Sequence, residues 1–591
     1  MARSWRRVML LACAALTLDQ PAAAQCLPLL CGYSESGKGG PYLQDKVKTE
    51  KLAKSDALIE KARVDGSLGA GSIDQGKLFG SGLSMPKTEL ALERFVDSFR
   101  AHWPHRQPGP IDVKIVGSYT FSPLAHADNV IVVPLGMLIK AENDDQIAWL
   151  LAHEFSHLAL GHFARHTSSR KREKMLGDAV SVLQGGVIMA TSEYRYANGR
   201  ISSQLSDRKQ AEANMVSIYF RSEQLRSLLS LVNNFFSRSQ EDQADVLGLD
   251  LVYAAGFADI GASTSIAELG REDAARKSLF AEIGSDLTKY AEVEAKRALV
   301  AAGGTSADLK QQGNKFADSM LGNLTAIGVK RLTEYYGATH RPTDARREGI
   351  SRYFERAYPN YEVREPKTTW LTALRNNAEY RDAKLMLDAV TAAREALAAQ
   401  NGVKAIAALG PALKSRYGQS AFLLNTAAQA YVTAQRPAEA EKLYTAASKV
   451  QNTADNAYLA QSLEGFIEHV DLLIAMRNQR RANEIITLAA GRFGDDNAFL
   501  PQRVRMAMAN GNADAIYAAM ALCTKTQDVG LIGRCEAEIG GPEVEAAYAG
   551  MTPIEQAQID KARVLARQGS QSKGFWDSVG KMLGGKDDDA D

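Results

Sequence analysis

Beyond its first two dozen residues the chain has no run of eighteen consecutive apolar residues, so no membrane-spanning helix is predicted there. Net charge is nearly absent as well. Seventy basic against 69 acidic side chains leave +1, which gives no reason to expect nucleic acid or an anionic membrane as the main partner. Histidine is scarce at nine residues and cysteine scarcer at five, so the placement of each is informative. Length is what the chain does have. Its 591 residues are too many for one hydrophobic core and suggest roughly three or four domains. A hydrophobic content of 45% with 24% charged residues is ordinary for globular protein.

The N-terminus has the three parts of a secretory signal. Arg3, Arg6 and Arg7 form a positive region, Val8 to Leu18 an apolar core, and Pro21-Ala-Ala-Ala24 a small-residue cleavage site, so residues 1–24 are expected to be removed in export to the periplasm. Leu10-Leu-Ala-Cys13 faintly resembles a lipoprotein signal, but the apolar run before Cys13 is short for one. Removing the signal leaves Cys26, Cys31, Cys523 and Cys535, and an even count in an exported protein favours disulfides. Their grouping near the two ends suggests Cys26–Cys31 and Cys523–Cys535 among three possible connectivities. A four-cysteine zinc site is the weaker alternative, since neither pair has the usual tight spacing.

Residues 25–84 hold a charged helix, about Tyr42 to Val64, followed by a glycine-rich stretch. Leu90 to Phe99 has helical apolar spacing, Ile111 to Val116 alternates as a strand, and Asn129-Val-Ile-Val-Val133 is a second strand ended by Pro134. A helix is expected to start around Asn143 to Asp145, where short polar side chains can cap it. Most of residues 165–355 also reads as helix. The fold class is therefore α+β and mostly helical, with a small sheet in a domain over residues 85–360. From residue 380 to 545 the chain becomes alanine-rich and all-helical. Ala427-Ala-Gln-Ala-Tyr431, Arg436-Pro-Ala-Glu-Ala440 and Tyr444 have the small/aromatic spacing of tetratricopeptide (TPR) repeats, and Met506 to Tyr517 is a looser copy. A generic helical bundle is the alternative. Residues 570–591, ending in Lys-Asp-Asp-Asp-Ala-Asp591, read as a disordered tail.

The chemistry is concentrated in Leu150-Leu-Ala-His-Glu-Phe-Ser-His-Leu-Ala-Leu-Gly-His162. Positions i and i+4 share a helix face, so His153 and His157 can offer two imidazole nitrogens to one metal ion. Glu154 then stands beside them as a general base, the zinc-protease arrangement. The plain reading is an amphipathic helix with two satisfied histidines. A catalytic zinc needs a third protein ligand. His162 is rotated by roughly 140° from His157 if the helix continues, so it would point elsewhere. Ser237-Arg-Ser-Gln-Glu241-Asp-Gln-Ala-Asp245 is the better source: Glu241 completes a His/His/Glu set, and Asp245 can accept from a ligand histidine's second nitrogen.

Asn129-Val-Ile-Val-Val-Pro134, His153-Glu-x-x-His157, Ser237-Arg-x-x-Glu-x-x-Ala-Asp245 and Thr339-His-Arg-Pro342, in this order and spacing, resemble the HtpX/CAAX-protease-like gluzincin metallopeptidases. The nearest architecture is the family's soluble periplasmic, TPR-tailed (BepA-like) branch. The resemblance covers roughly residues 85–355 and, more weakly, 380–545. It implies one zinc ion per chain on His153, His157 and Glu241, with Glu154 as base and Asp245 behind a ligand. The strand departs from the family pattern, ending in Pro134-Leu-Gly136, and the Thr-His-Pro segment is interrupted by Arg341.

On this reading the chain is an exported zinc endopeptidase acting on unfolded or misassembled envelope proteins, with outer-membrane assembly machinery as a further candidate partner. His340 or Arg346 could donate to the oxyanion; both could equally be surface-turn contacts. His340 could instead block the metal at rest. The strand at Asn129 to Val133 could pair with an extended substrate, and the repeat region could dock a partner. A periplasmic chaperone or scaffold, whose binding outweighs cleavage, is the competing reading.

Overall fold

A computed structural model describes residues 82–105, 109–126, 129–162, 192–197, 200–205, 236, 238–275, 343–450, 459–494, 496–510, 513–526, 531, 535 and 538. The signal, the glycine-rich stretch before residue 82, Cys26, Cys31, His340 and the 570–591 tail lie outside these residues. No helix among the described residues is long and apolar enough to cross a membrane.

A four-stranded sheet comes first, in the order β1 (Gly82–Leu83), β2 (Asp112–Val116), β4 (Val130–Pro134), β3 (Leu124–His126). β2 and β4 run parallel, and β1 and β3 add antiparallel margins. The two predicted strands are both present. β4 is the interior strand, flanked by β2 and β3 and buried along its whole length. Its backbone is paired on both sides over Val130–Val132, so the expected pairing of this strand with an extended substrate does not hold there. β1 and β3, at two and three residues, are too short to show an alternating pattern in sequence.

Helix α1 (Pro86–His102) packs on the sheet, and the short α2 (Leu135–Lys140) follows β4 directly. Helix α3 (Asp144–Ala159) then runs through the core with all sixteen residues buried. Asn143 caps it by accepting from Gln146 N–H, as its position suggested, a contact worth about 1 kcal/mol. A hairpin, β5 (Ser192–Ala197) with β6 (Arg200–Leu205), interrupts the span expected to be mostly helical. Asn198-Gly199 between the strands is a strong hairpin signal that outweighs helical periodicity. Helix α4 (Arg238–Ala254) packs along α3, a further helix occupies 260–275, and α5 (Thr343–Ala357) adjoins α4.

The all-helical region is not tethered loosely. Asp144 accepts from the backbone N–H groups of Trp370 and Leu371, at the start of α6 (Thr369–Arg375). Arg375 reaches three carbonyls at the end of α2. In α7 (Ala378–Ala398), Glu379 takes both donors of Thr88, and Asp388 accepts from Tyr119 O–H. One apolar core accordingly runs without a break from Leu83 to Ala430.

From α7 onward the chain forms antiparallel pairs: α8 (Gly402–Leu413), α9 (Ala421–Thr433), α10 (Pro437–Ser448), α11 (Leu463–Ala475), α12 (Gln479–Phe493), α13 (Leu500–Ala509) and α14 (Ala513–Lys525). One turn recurs after α7, α9 and α11. Gln400, Gln435 and Arg477 take left-handed φ values of 55°, 59° and 58°. The next residue donates back to Ala396, Tyr431 and Leu473 respectively, closing the same six-residue ring each time. Cys523, near the end of α14, forms a disulfide with Cys535 beyond that helix, and both cysteines are buried in a separate apolar cluster.

Candidate metal centre

Helix α3 brings His153 and His157 one turn apart on a single face, with their Nε2 atoms 3.1 Å from each other. The first turn of α4 supplies Glu241. Its Oε2 lies 3.5 Å from His153 Nε2 and its Oε1 3.7 Å from His157 Nε2. One donor atom from each residue lies within 4.8 Å of the others, and all three residues are buried. A tetrahedral ion with bonds of about 2.1 Å sets its ligands about 3.4 Å apart, so the spacing suits a zinc-sized cation. Two imidazole nitrogens and a carboxylate oxygen are also the donors such an ion prefers.

Gly248 sets how closely the two helices meet. A Cβ there would lie 3.1 Å from the backbone nitrogen and 3.3 Å from the Cα of His153. The missing side chain lets α4 lie against α3 one turn beyond Asp245, at the level of His153. Sequence reasoning passed over this residue, although a glycine inside a helical pattern is the usual mark of a close approach.

The charges around the ligands are matched. Asp245 Oδ1 lies 3.0 Å from His153 Nδ1, an ion-pair distance, although that nitrogen finds no hydrogen bond of good direction. Arg346, in α5, forks onto Asp245: Nε donates to Oδ2 at 2.6 Å and Nη2 to Oδ1 at 2.5 Å. Burial alone would raise the Asp245 pKa, but Arg346 and then His153 hold it down to about 2. Burial works against a charge on His153, yet Asp245 and Glu241 override it and push its pKa up to about 10. The cluster therefore favours positive charge where the three ligand atoms converge. Burial raises Glu154 to about 7, partly opposed by His153 and by the Ala125 N–H. That N–H, on β3, donates to Glu154 Oε2 at 2.6 Å.

His162 does not point away from His157. Helix α3 stops at Ala159, and Gly161 takes a left-handed φ of 62°, which turns the chain back on itself. The His162 ring then lies under His157, with Nδ1 to Nδ1 at 2.9 Å. This is the side of His157 away from Glu241, so His162 is not one of the three converging donors. Two aromatic side chains missed in the sequence complete the walls. Phe236 stacks on His157 at 3.6 Å between ring centroids, and Trp149 lies 5.6 Å from His153.

Of the residues singled out in sequence, the structure brings together His153, Glu154, His157, Glu241, Asp245 and Arg346, drawn from three helices separated by up to 193 positions. His340 lies outside the described residues.

Residues 114–350 match peptidase family M48. The matched span contains His153, His157, Glu241, Glu154, Asp245 and Arg346; the match supports a metallopeptidase, and members of that family typically use zinc. It ends before α6, and the helical pairs lie outside it. No curated protein matches the chain.

Proposed function

We propose that the chain is an exported zinc endopeptidase that cuts unfolded or misassembled envelope proteins in the periplasm. The observation that carries the reading is the buried convergence of His153, His157 and Glu241 with Glu154 one residue from a ligand on the same helix. Zinc, when bound, would acidify a water and polarise the scissile carbonyl. Glu154 would accept a proton from the attacking water and return it to the leaving amine. Asp245, clamped by Arg346, would hold the His153 ring in place. With Nε and Nη2 of Arg346 committed to Asp245, oxyanion stabilisation falls to His340 in this reading.

Three features support the wider role. The signal-like N-terminus and the buried Cys523–Cys535 disulfide suit an oxidising compartment. The recurring turn after α7, α9 and α11 suits a TPR-like array, in which a concave helical surface docks a substrate or the outer-membrane assembly machinery. The fusion of the first helical pair to the peptidase core would hold that surface at a fixed position relative to the metal centre.

One observation favours a chaperone or scaffold instead. His153, Glu154 and His157 are 7%, 6% and 1% exposed, and Glu154 is engaged by Ala125. Metal analysis together with casein cleavage by wild type and Glu154→Gln separates the readings. The protease reading expects wild type to cut casein, and the variant to keep zinc and lose cleavage. Equal suppression of aggregation by both proteins, with no cleavage by either, would give the chaperone reading the case.

A further inference from the structure

Within the proposed metal centre, each ligand histidine has a different backing. His153 faces a carboxylate that is itself clamped by Arg346. His157 faces the ring of His162. Its Nε2 is turned to His153 and Glu241, which leaves Nδ1 as the nitrogen that meets His162. His162 is 1% exposed and is tied to α4 at two points. Its Nε2 lies 3.3 Å from Gln243 Oε1, and its carbonyl accepts from Gln240 Nε2 at 3.3 Å. Gln243 Nε2 donates to Ser239 Oγ, which leaves Oε1 turned toward His162.

The proton positions then follow from valence. A neutral imidazole that gives the Nε2 lone pair to a cation carries its proton on Nδ1. His157 Nδ1–H must donate, so His162 Nδ1 must accept, and the His162 proton resides on Nε2, donating to Gln243. We infer that His162 is a positioning residue: it fixes the tautomer and ring orientation of His157 and ties that ligand to the helix carrying Glu241. The inference rests on the metal reading of the site. It assigns a role to the third histidine of the His153/His157/His162 run that direct ligation does not fill.

Asparagine and glutamine at position 162 separate this role from simple packing. An Asn side chain places its amide near the position of Nδ1, where Oδ1 can accept from His157. A Gln side chain reaches toward the position of Nε2 instead. Zinc affinity, measured by chelator competition on the full chain, should fall by roughly ten- to a hundredfold in His162→Leu and His162→Gln. In His162→Asn it should stay within a few-fold of wild type. Cobalt substituted for zinc should give a wild-type absorption spectrum in His162→Asn and an altered one in His162→Gln. Equal affinity and spectra in all variants, or equal loss in Asn and Gln, would overturn the proposal. Should His162→Leu fail to fold, the Asn/Gln pair still decides. Wild-type protein that binds no zinc would instead bring down the metal reading itself.

Discussion

Arg346 and Asp245, 101 positions apart, form a buried two-pronged pair directly behind His153. Removing one member of such a pair strands the other charge in the core. Arg346→Ala should therefore lower the free energy of unfolding by about 3–5 kcal/mol in urea titrations. Arg346→Lys, which keeps the charge and loses the fork, should lose less. A loss below about 1 kcal/mol for the alanine variant would mean that water reaches Asp245.

Gly248 should be intolerant of volume for a local reason. A β-branched side chain there would push against the backbone of His153, which a Cβ alone already approaches to 3.1 Å. Gly248→Val should separate α4 from α3 and weaken zinc binding by tenfold or more. Equilibrium dialysis against zinc of wild type, Gly248→Ala and Gly248→Val should show a graded loss. Unchanged affinity in the valine variant would show that helix spacing does not control the ligand geometry.

The distance at which each feature is encoded explains what the sequence disclosed. Asn143 and the His153/His157 spacing are local, set by neighbours within one or two turns, and the structure places both as expected. The Glu241-to-Asp245 spacing is local too, although the meeting of α4 with α3 is not. Gly161 shows how one residue decides: it ends α3 and returns His162 to His157, where a continued helix would have carried the ring away. The interior position of β4 depends on pairing with β2 and with a three-residue β3. The seating of α6 and α7 on the sheet and its helices depends on Asp144, Thr88 and Tyr119, which bond to partners more than 200 residues distant. No periodicity carries that information.

The Cys523–Cys535 bond ties the last turn of α14 to residue 535, closing a loop of 12 positions. A loop of that size restrains the unfolded chain by about 3 kcal/mol. Cys523→Ser should destabilise the C-terminal helices by about 2–3 kcal/mol while leaving zinc content at the wild-type level. Hydrogen exchange resolved along the chain should show lost protection over 500–526 and little change in α3. Uniform loss of protection would mean the pair supports the whole molecule.

His469 is buried in α11 against Tyr444, and neither of its ring nitrogens finds a hydrogen bond. Burial, with a smaller contribution from Arg481, lowers its pKa to about 4. The folded state therefore demands the neutral ring. Its contribution to stability is fully present above the unfolded pKa near 6.5 and is lost as pH falls from there toward 4. The loss should reach up to about 3 kcal/mol, and His469→Leu should remove that part of the acid sensitivity. Melting temperatures of both proteins at pH 7 and pH 4.5 test this. A variant whose melting temperature drops as far as wild type would place the acid sensitivity elsewhere.

The most direct test of the central claim is anomalous diffraction at the zinc absorption edge, from crystals of protein purified without added metal or chelator. The account predicts one strong peak per chain, bounded by His153 Nε2, His157 Nε2 and a carboxylate oxygen of Glu241, and its loss in crystals of Glu241→Ala. A peak held by His162 or by cysteine, or no peak at the site in protein that still cleaves casein, would contradict it.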